Sequence, residues 1–371
     1  MTTTHNTLKP WPRLASHLAH TLERPWLSAI VRKSAVEDTL GALHPLLSLD
    51  TVKARVVHIT EETPTLHSFI LEPNAHWQGA RSGQFVRVQT EINGRVTERA
   101  YSLSSRGGAK RLALTIKRKE GGLMSNFLHQ QVRVGSVLTL SQAEGEFVLP
   151  ATDPLPGKIL LLSAGSGVSP VMALMRELHE QEYAGEVIFL NVCRDTSEQI
   201  WTDELSLIGD QMPGLTVVTH FTSTQGRLDA QTLLCSVPDL AERATWLCGP
   251  AAWMDQIHAL WAEQGYASPL TSERFGGGPT VPADAGTPVS VACERSATHF
   301  VTEGAQPLLV QAERAGLAPK HGCRIGICRS CQCTKKSGTV ENLLTGEISS
   351  APNEEIRLCI STARSDVTLV L

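Results

Sequence analysis

The spacing of apolar positions changes along this chain, and each change marks a new architecture. Between Arg13 and Arg24 leucines recur every four residues, at Leu14, Leu18 and Leu22, with Ala15 and Ala19 beside them. That spacing keeps one stripe of an α-helix apolar, and Pro12 and Pro25 bracket it. A second helical run, Trp26 to Leu47, carries Leu27, Ile30, Val31, Val36 and Leu40 and ends around Gly41 and Pro45. From Val52 to about Pro150 the pattern becomes one of short strands: Val52–Ile59, Gln84–Gln89, Val96–Leu103 and Arg111–Lys117 are rich in β-formers and broken by Pro, Gly and Asn turns. This predicts a small antiparallel β-barrel. After Pro156, Lys158–Ser163 carries the continuous apolar run Ile159–Leu162, as strands buried in a parallel sheet do, and a helix from Val171 to Glu180 comes after it. Further strand-like runs at Glu186–Cys193, Thr216–Phe221 and Ala244–Cys248 alternate with helical segments, which predicts a Rossmann-like parallel α/β unit. Gly276–Gly286 is a linker by composition. Beyond it come strands at Pro288–Cys293 and near His299–Val301, then a helix from Gln306 to Ala315.

Composition adds bounds. With 371 residues, 42% apolar and 19% charged, the chain reads as two or three soluble globular domains. A net charge of −4 without a long basic run argues against nucleic acid as a partner. There is neither a signal-like start nor an apolar run of about 18 residues, so a cytoplasmic location is expected. Of nine cysteines, five crowd between Cys323 and Cys359 while Cys193, Cys235, Cys248 and Cys293 are scattered. This is not a disulfide framework.

The crowded cysteines carry the sharpest chemistry. His321-Gly-Cys-Arg-Ile-Gly-Ile-Cys-Arg-Ser-Cys331 followed by Cys359 gives C-x4-C-x2-C and a distant fourth cysteine, the spacing of a plant-type [2Fe–2S] site. Two irons sharing two sulfides need four thiolates, here Cys323, Cys328, Cys331 and Cys359. Three come from one tight loop, for which Gly322 and Gly326 supply backbone freedom. Zinc is the alternative, but its sites usually show two C-x2-C pairs or a Cys/His mixture. Cys333 has no place in the spacing and reads as a packing residue. A carrier of single electrons needs a supplier upstream.

Candidates for that supplier lie in both central segments. Arg99-Ala-Tyr-Ser102 offers a guanidinium fork for a pyrophosphate, the Tyr101 ring as a stacking face and the Ser102 hydroxyl for a ring nitrogen; an ordinary strand would carry the same residues. Gly121, Gly122 and Ser125 open a helix whose N-terminus attracts phosphate. Lys158–Ser163 runs into Gly165-Ser-Gly-Val-Ser-Pro170, and strand, glycine turn and helix in that order read as a dinucleotide site. Ser169 is placed to cap the helix and Pro170 suits its first turn. Arg194 ends the next strand where NADP-binding proteins often carry Arg, which leans toward NADPH over NADH, although Asp195 follows at once. Cys248-Gly249-Pro250 opens another helix.

Jointly these motifs resemble the ferredoxin–NADP reductase superfamily, in the version with a C-terminal plant-type ferredoxin domain. The resemblance covers roughly residues 50 to 371. It implies an N-terminal helical extension (1–48), an FAD-binding barrel (49–153), an NAD(P)-binding domain (154–275), the linker (276–286) and a β-grasp [2Fe–2S] domain (287–371). Arg99–Ser102 matches the family's flavin signature, Gly122-Leu-Met124-Ser125 its flavin phosphate loop, Gly165–Pro170 its nucleotide loop, and Cys248–Pro250 the turn beside the nicotinamide. The family gathers a serine, a cysteine and a glutamate at the hydride-transfer site, which implies Ser102, Cys248 and Glu273. Glu144-Gly-Glu-Phe147 resembles the FAD-binding branch more than the FMN-binding phthalate dioxygenase reductases.

The function expected is an NAD(P)H-dependent reductase, expected as a monomer, passing electrons through FAD and the cluster to a non-haem iron protein. The extension resembles that of reductases serving bacterial acyl-CoA desaturases, so a membrane diiron desaturase is the first acceptor expected. A ring-hydroxylating or alkane-hydroxylating oxygenase is the second, and a non-catalytic electron-wiring subunit the rival from another class. For residues 1–48 two readings stand. Trp11 and Trp26 beside Arg13, Arg24, Arg32 and Lys33 suit an arm touching a partner or the inner face of a membrane, while the stripe equally suits packing on the barrel.

Overall fold

The computed structural model describes residues 33–92, 94–152, 154–275, 287–321, 326 and 330–371. The chain divides into two compact units, the first ending at Glu273 and the second beginning at Arg274. The stripe from Leu14 to Leu22 lies outside the described residues. Of the second predicted helix, Lys33–Leu43 (α1) is described. The segment after α1 is fastened at several points: Glu37 Oε1 accepts from the Leu49 amide at 2.7 Å, Lys53 Nζ donates to Leu47 O at 3.0 Å, and Ser48 and Leu49 are fully buried. These contacts tie α1 and the segment after it to the start of the barrel. No described helix is long and apolar enough to cross a membrane.

The first unit opens with β1 (Val52–Thr63), β2 (Leu66–Pro73), β3 (Phe85–Ile92), β4 (Arg95–Ser102), β5 (Leu112–Lys117) and β6 (Val137–Leu140). They form one antiparallel sheet in the order β4-β3-β6-β1-β2-β5. Its two edges meet through a bridge between Leu103 and Leu114, which closes the barrel. β2 and β6 are not legible in the apolar pattern. β2 buries Ser68, satisfied by Thr115 Oγ1 at 2.8 Å, which blurs the alternation, and β6 is only four residues long. Helix α2 (Leu123–Gln131) plugs the barrel with Met124 and Leu128.

A five-stranded sheet comes next, built from β7 (Lys158–Ala164), β8 (Glu186–Cys193), β9 (Leu215–Phe221), β10 (Ala244–Gly249) and β11 (Leu270–Arg274) in the order β11-β10-β7-β8-β9. The ladders β10–β7, β7–β8 and β8–β9 are parallel. Strand order reverses between β7 and β10, and ligands of such sheets bind at the carboxyl ends of strands at that reversal. Helix α3 (Val168–Glu180) leaves β7 after a single 3-10 turn and so begins ahead of the expected Val171. Ser169 does not cap it. Lying inside the first turn, its hydroxyl is drawn instead to the barrel, donating to Thr115 O at 3.1 Å. Further along α3, Arg176 donates to Ser104 O at 2.5 Å and forms a two-pronged pair with Glu204 of α4 (Thr202–Gln211) at 2.6 and 2.7 Å. These contacts fix the nucleotide sheet against the barrel.

The second unit is a mixed sheet, β13-β12-β19-β14-β17, with a small sheet β16-β15-β18 beside it. Its strands are β12 (Ser290–Cys293), β13 (Thr298–Val301), β14 (Gln332–Ser337), β15 (Val340–Asn342), β16 (Ile348–Ser349), β17 (Glu354–Arg357), β18 (Ser361–Ala363) and β19 (Val367–Leu369). Parallel pairing of β12 with β19 beside antiparallel neighbours, with a helix at Leu308–Arg314 packed on the core, is the β-grasp arrangement. Lys335 on β14 is fully buried, and its ammonium donates to Gly338 O, Ser349 O and Ala351 O at 2.7–3.2 Å while pairing with Glu354 at 3.2 Å. Lys335→Ala strands those acceptors, and breaking such a pair costs about 3 kcal/mol, so the melting temperature of this unit should fall by roughly 10 °C or more. The neighbouring Lys336, paired with Glu294 at the surface, should change it little when replaced by Ala. Equal, small losses for both variants in calorimetry would contradict this account.

Candidate functional site

The two loops that leave β7 and β10 are in contact. A Cβ added to Gly167 would lie 2.1 Å from Cys248 O and 2.8 Å from the Gly249 amide. Only glycine lets the Gly165–Pro170 loop press against the Cys248–Pro250 turn, which brings the two motifs together. Gly165 precedes that contact with a left-handed backbone (φ 56°) and open space around it, and Pro170 is buried in the first turn of α3.

The barrel reaches the same point. Ser102, at the end of β4, donates its hydroxyl hydrogen to Glu273 Oε2 on β11 at 2.8 Å, and both residues are buried. Burial pushes the Glu273 carboxyl up to about 7, the Ser102 hydrogen bond offsetting only part of this. Cys248 is fully buried at the end of β10, its thiol raised well above the usual range by burial and then by the charge of Glu273. The three residues expected at a hydride-transfer site are thus neighbours in space, although 171 positions separate Ser102 from Glu273.

The residues expected to hold a flavin lie on β4 beside Ser102 and at the start of α2. Arg99 and Tyr101 are two apart on β4, so they face the same way. Tyr101 packs half-buried against the barrel core, with burial raising its hydroxyl. Between β5 and α2, Ser125 Oγ accepts from the Lys119 amide at 3.1 Å, and Asn126 donates to Lys119 O and Gly122 O at 2.9 and 2.7 Å. Gly121 and Gly122 are held in this closed loop, and no side chain caps α2. Its first amides remain for an anion, which is how a flavin phosphate would be held. Met124 points into the core and could contribute only its backbone. At the end of β8, Arg194 is 77% exposed and stands 3.9 Å from Asp195. The Asp195 carboxylate is occupied, accepting from the Ser197 amide and hydroxyl at 2.9 and 2.6 Å, bonds that hold it below its ordinary range.

Sequence reasoning alone misses Lys117. At the end of β5 it pairs with Glu198 at 3.0 Å, and the two wall a narrow slot with Gly165, Asn191 and Cys193. The signal is present in the Lys117-Arg-Lys119 run, but only the fold shows that Lys117 lies beside Gly165.

In the second unit Cys331 and Cys359 are buried side by side, and the Cys359 amide donates to Cys331 Sγ at 3.4 Å. An amide aimed at sulfur suits a thiolate, the form that binds iron. Gly326 has φ 83°, and a Cβ there would come within 2.8 Å of Ile360, the residue after Cys359, so this position favours glycine. Cys323, Cys328 and Gly322 lie outside the described residues. Cys333 belongs to the hydrophobic core with Cys293, its thiol pushed up to about 11 by burial.

Comparisons with known proteins identify three domains in this chain. Residues 53–149 match the oxidoreductase FAD-binding domain, 161–259 the oxidoreductase NAD-binding domain and 283–364 the 2Fe-2S iron-sulfur cluster binding domain. The chain is 32% identical over 338 residues to an NADPH oxidoreductase of Mycobacterium tuberculosis, covering 90% of this chain and 88% of the relative. It is 31% identical over 300 residues to the NADH oxidoreductase HCR of Escherichia coli, covering 79% and 89%. With the glycine betaine monooxygenase reductase subunit of Pseudomonas aeruginosa the identity is 28% over 320 residues, covering 78% and 86%. Among solved structures, phthalate dioxygenase reductase shares the fold, with a TM-score of 0.57 at 22% identity over 86% of this chain and 98% of that one. The chain belongs to the ferredoxin–NADP reductase superfamily in the form fused to a C-terminal [2Fe–2S] domain, and it is an NAD(P)H-dependent oxidoreductase that uses FAD and a [2Fe–2S] cluster.

Proposed function

We propose that this chain is the reductase component of an oxygenase system, oxidising NADPH and delivering its two electrons one at a time to a non-haem iron protein. The balance is one NADPH and two oxidised one-electron acceptors giving NADP⁺, one proton and two reduced acceptors. When bound, FAD accepts the hydride and releases single electrons, and the cluster carries them one by one. The observation that carries the reading is the convergence of Gly167, Cys248 and the Ser102–Glu273 pair where β7 and β10 end. In this reading Ser102 presents its hydroxyl to the reacting ring nitrogen, and Glu273 holds Ser102 in place. Cys248 shapes the nicotinamide pocket. Gly165, Gly167, Gly249, Pro250 and the start of α3 receive the pyrophosphate, and Arg99, Tyr101 and the Gly121–Ser125 loop orient the flavin. Cys323, Cys328, Cys331 and Cys359 ligate the irons. A wiring subunit would have no need of the nucleotide turn.

The names of relatives support an oxygenase component as acceptor, since they include reductase subunits of a glycine betaine monooxygenase and a stachydrine N-demethylase. A membrane diiron acyl-CoA desaturase is the second reading. It is favoured by the amphipathic Arg13–Arg24 pattern, which would bring a cytoplasmic reductase to a membrane surface. The lean toward NADPH rests on Arg194, because Asp195 is turned into its own hydrogen bonds and away from competing for a ribose.

Replacing Cys328 with Ser should abolish the visible absorption of the cluster and the delivery of electrons to a protein acceptor, while flavin reduction by NADPH persists. An unchanged cluster would overturn the ligand assignment. Arg194→Ala should lower kcat/KM for NADPH by about tenfold and leave NADH nearly unaffected, as loss of a charge-assisted phosphate contact requires; equal losses would remove the 2′-phosphate role. Glu273 sets a pH dependence. Its folded pKa, about 7, lies above the ordinary carboxyl value, so it contributes stability that is fully present below about pH 4.5 and is lost as pH rises through 7. The shift is worth at most roughly 3 kcal/mol. Melting curves should show a fall between about pH 5 and 8 that Glu273→Gln flattens, and parallel curves for both proteins would refute the buried carboxyl.

A further inference from the structure

Helix α2 is hooked to the barrel by an imidazole. In its last turn His129 places Nε2 2.8 Å from Ile116 O on β5, and because a carbonyl oxygen only accepts, this nitrogen carries the hydrogen. Among the described residues it is the one side-chain hydrogen bond between α2 and a strand of the barrel. The His129 ring stacks on His67 of β2, with centroids 4.1 Å apart and planes 26° from parallel, and it meets the buried Phe69 edge-on at 6.1 Å. His67 stands opposite Ile116 in the β2–β5 ladder. One imidazole thus lies between a second imidazole and a phenyl ring while it fastens the far end of α2 to the sheet.

This packing favours one charge state. Two imidazolium rings so close repel each other, and burial disfavours charge on His129. The titratable and charged groups that act on His129 come from the elements packed around it: Glu61 on β1, His67 on β2 and Arg118 just past β5. Burial holds His129 below the ordinary imidazole range; the bond to Ile116 O works against this, the charges of His67 and Arg118 work with it, and Glu61 opposes least. The neutral ring is favoured even though a helix C-terminus attracts cations. With nine residues, α2 is a single rod of about 13 Å. The hook at His129 and the first-turn amides at the other end therefore shift together.

We propose that His129 is a positioning residue for the flavin: neutral and stacked on His67, it fastens α2 to β5 and so holds the phosphate seat, and its protonation frees the helix and weakens FAD binding. The proposal rests on the reading that the flavin phosphate lies at the start of α2, so the experiment tests that seat separately. Because the bound state keeps the ring neutral, FAD affinity is full above the ordinary imidazole value, about 6.5, and falls as pH drops below it.

The measurement is the dissociation constant of FAD from the full-length protein, read from the fluorescence of released FAD at about pH 5.5 and about pH 7.5, either side of the ordinary imidazole value. Wild type should bind about tenfold more weakly at the lower pH. His129→Gln keeps a donor for Ile116 O but takes up no proton, so it should bind as wild type does at the higher pH and lose most of the pH dependence. His129→Phe keeps the stack without the donor and should bind about fivefold more weakly at the higher pH. His67→Gln removes the like charge and should shrink the pH dependence. Glu273 titrates in the same window, so Glu273→Gln is the control, and the dependence should survive in it. An unchanged pH dependence in His129→Gln overturns the proposal, as does one abolished by Glu273→Gln. A lowered melting temperature with undiminished FAD binding in His129→Phe would mean packing alone and overturns it too; should that variant fail to fold, His129→Gln decides. Gly122→Val tests the seat, since a Cβ there would lie 2.6 Å from Ser125 Oγ, and it should weaken FAD binding at both pH values. Normal binding in that variant would remove the phosphate reading and the proposal with it.

Discussion

The buried hydrogen bond from Ser102 to Glu273 is the contact that ties the barrel to the nucleotide sheet at the proposed site. It joins the last residue of the barrel's edge strand to the edge strand of the nucleotide sheet. A carboxyl taken out of water is costly unless it is protonated or well bonded. Burial raises the Glu273 carboxyl to about 7, so that its neutral form is favoured over a wider range of pH than for an exposed carboxyl. The same charge acts on Cys248, so the three side chains form one electrostatic unit.

That unit would drift apart without support from the packing. Ser169 and Arg176 fasten α3 to the barrel through carbonyls of Thr115 and Ser104, and Gly167 lets the first turn of α3 close onto Cys248. Placement is what the protein contributes to flavin chemistry, since a hydride moves only between atoms held at contact distance. The second unit uses the same logic with different parts: Gly326 approaches Ile360 where a side chain would crowd it, and a buried lysine gathers three carbonyls so that the short strands hold their shape.

Much of this is legible in the sequence because the relevant signals are local. The period-2 runs, the continuous apolar run Ile159–Leu162 and the C-x4-C-x2-C spacing each sit within about ten residues, and so do the turn and helix start around Gly165. Tertiary contacts set the rest. Ser169 looks like a helix cap until the barrel offers it a carbonyl, and Lys117 looks like one cation in a basic run until Glu198 arrives from 81 residues away. β2 escapes because its buried Ser68 imitates a surface position, and a buried hydroxyl partner on β5 cannot be seen from β2 alone. Cys333 and Cys331 stand two apart in one stretch of chain, and only the spacing rule separates their fates.

The most direct measurement is anaerobic mixing of the holoprotein with less than one equivalent of NADPH, with flavin absorbance and the cluster's electron paramagnetic resonance recorded in the same reaction. The account predicts that flavin bleaching comes first and that the cluster signal grows as the flavin reoxidises, at a rate independent of protein concentration because the transfer is within one chain. A cluster signal that precedes flavin bleaching, or one whose rate rises with protein concentration, would contradict it.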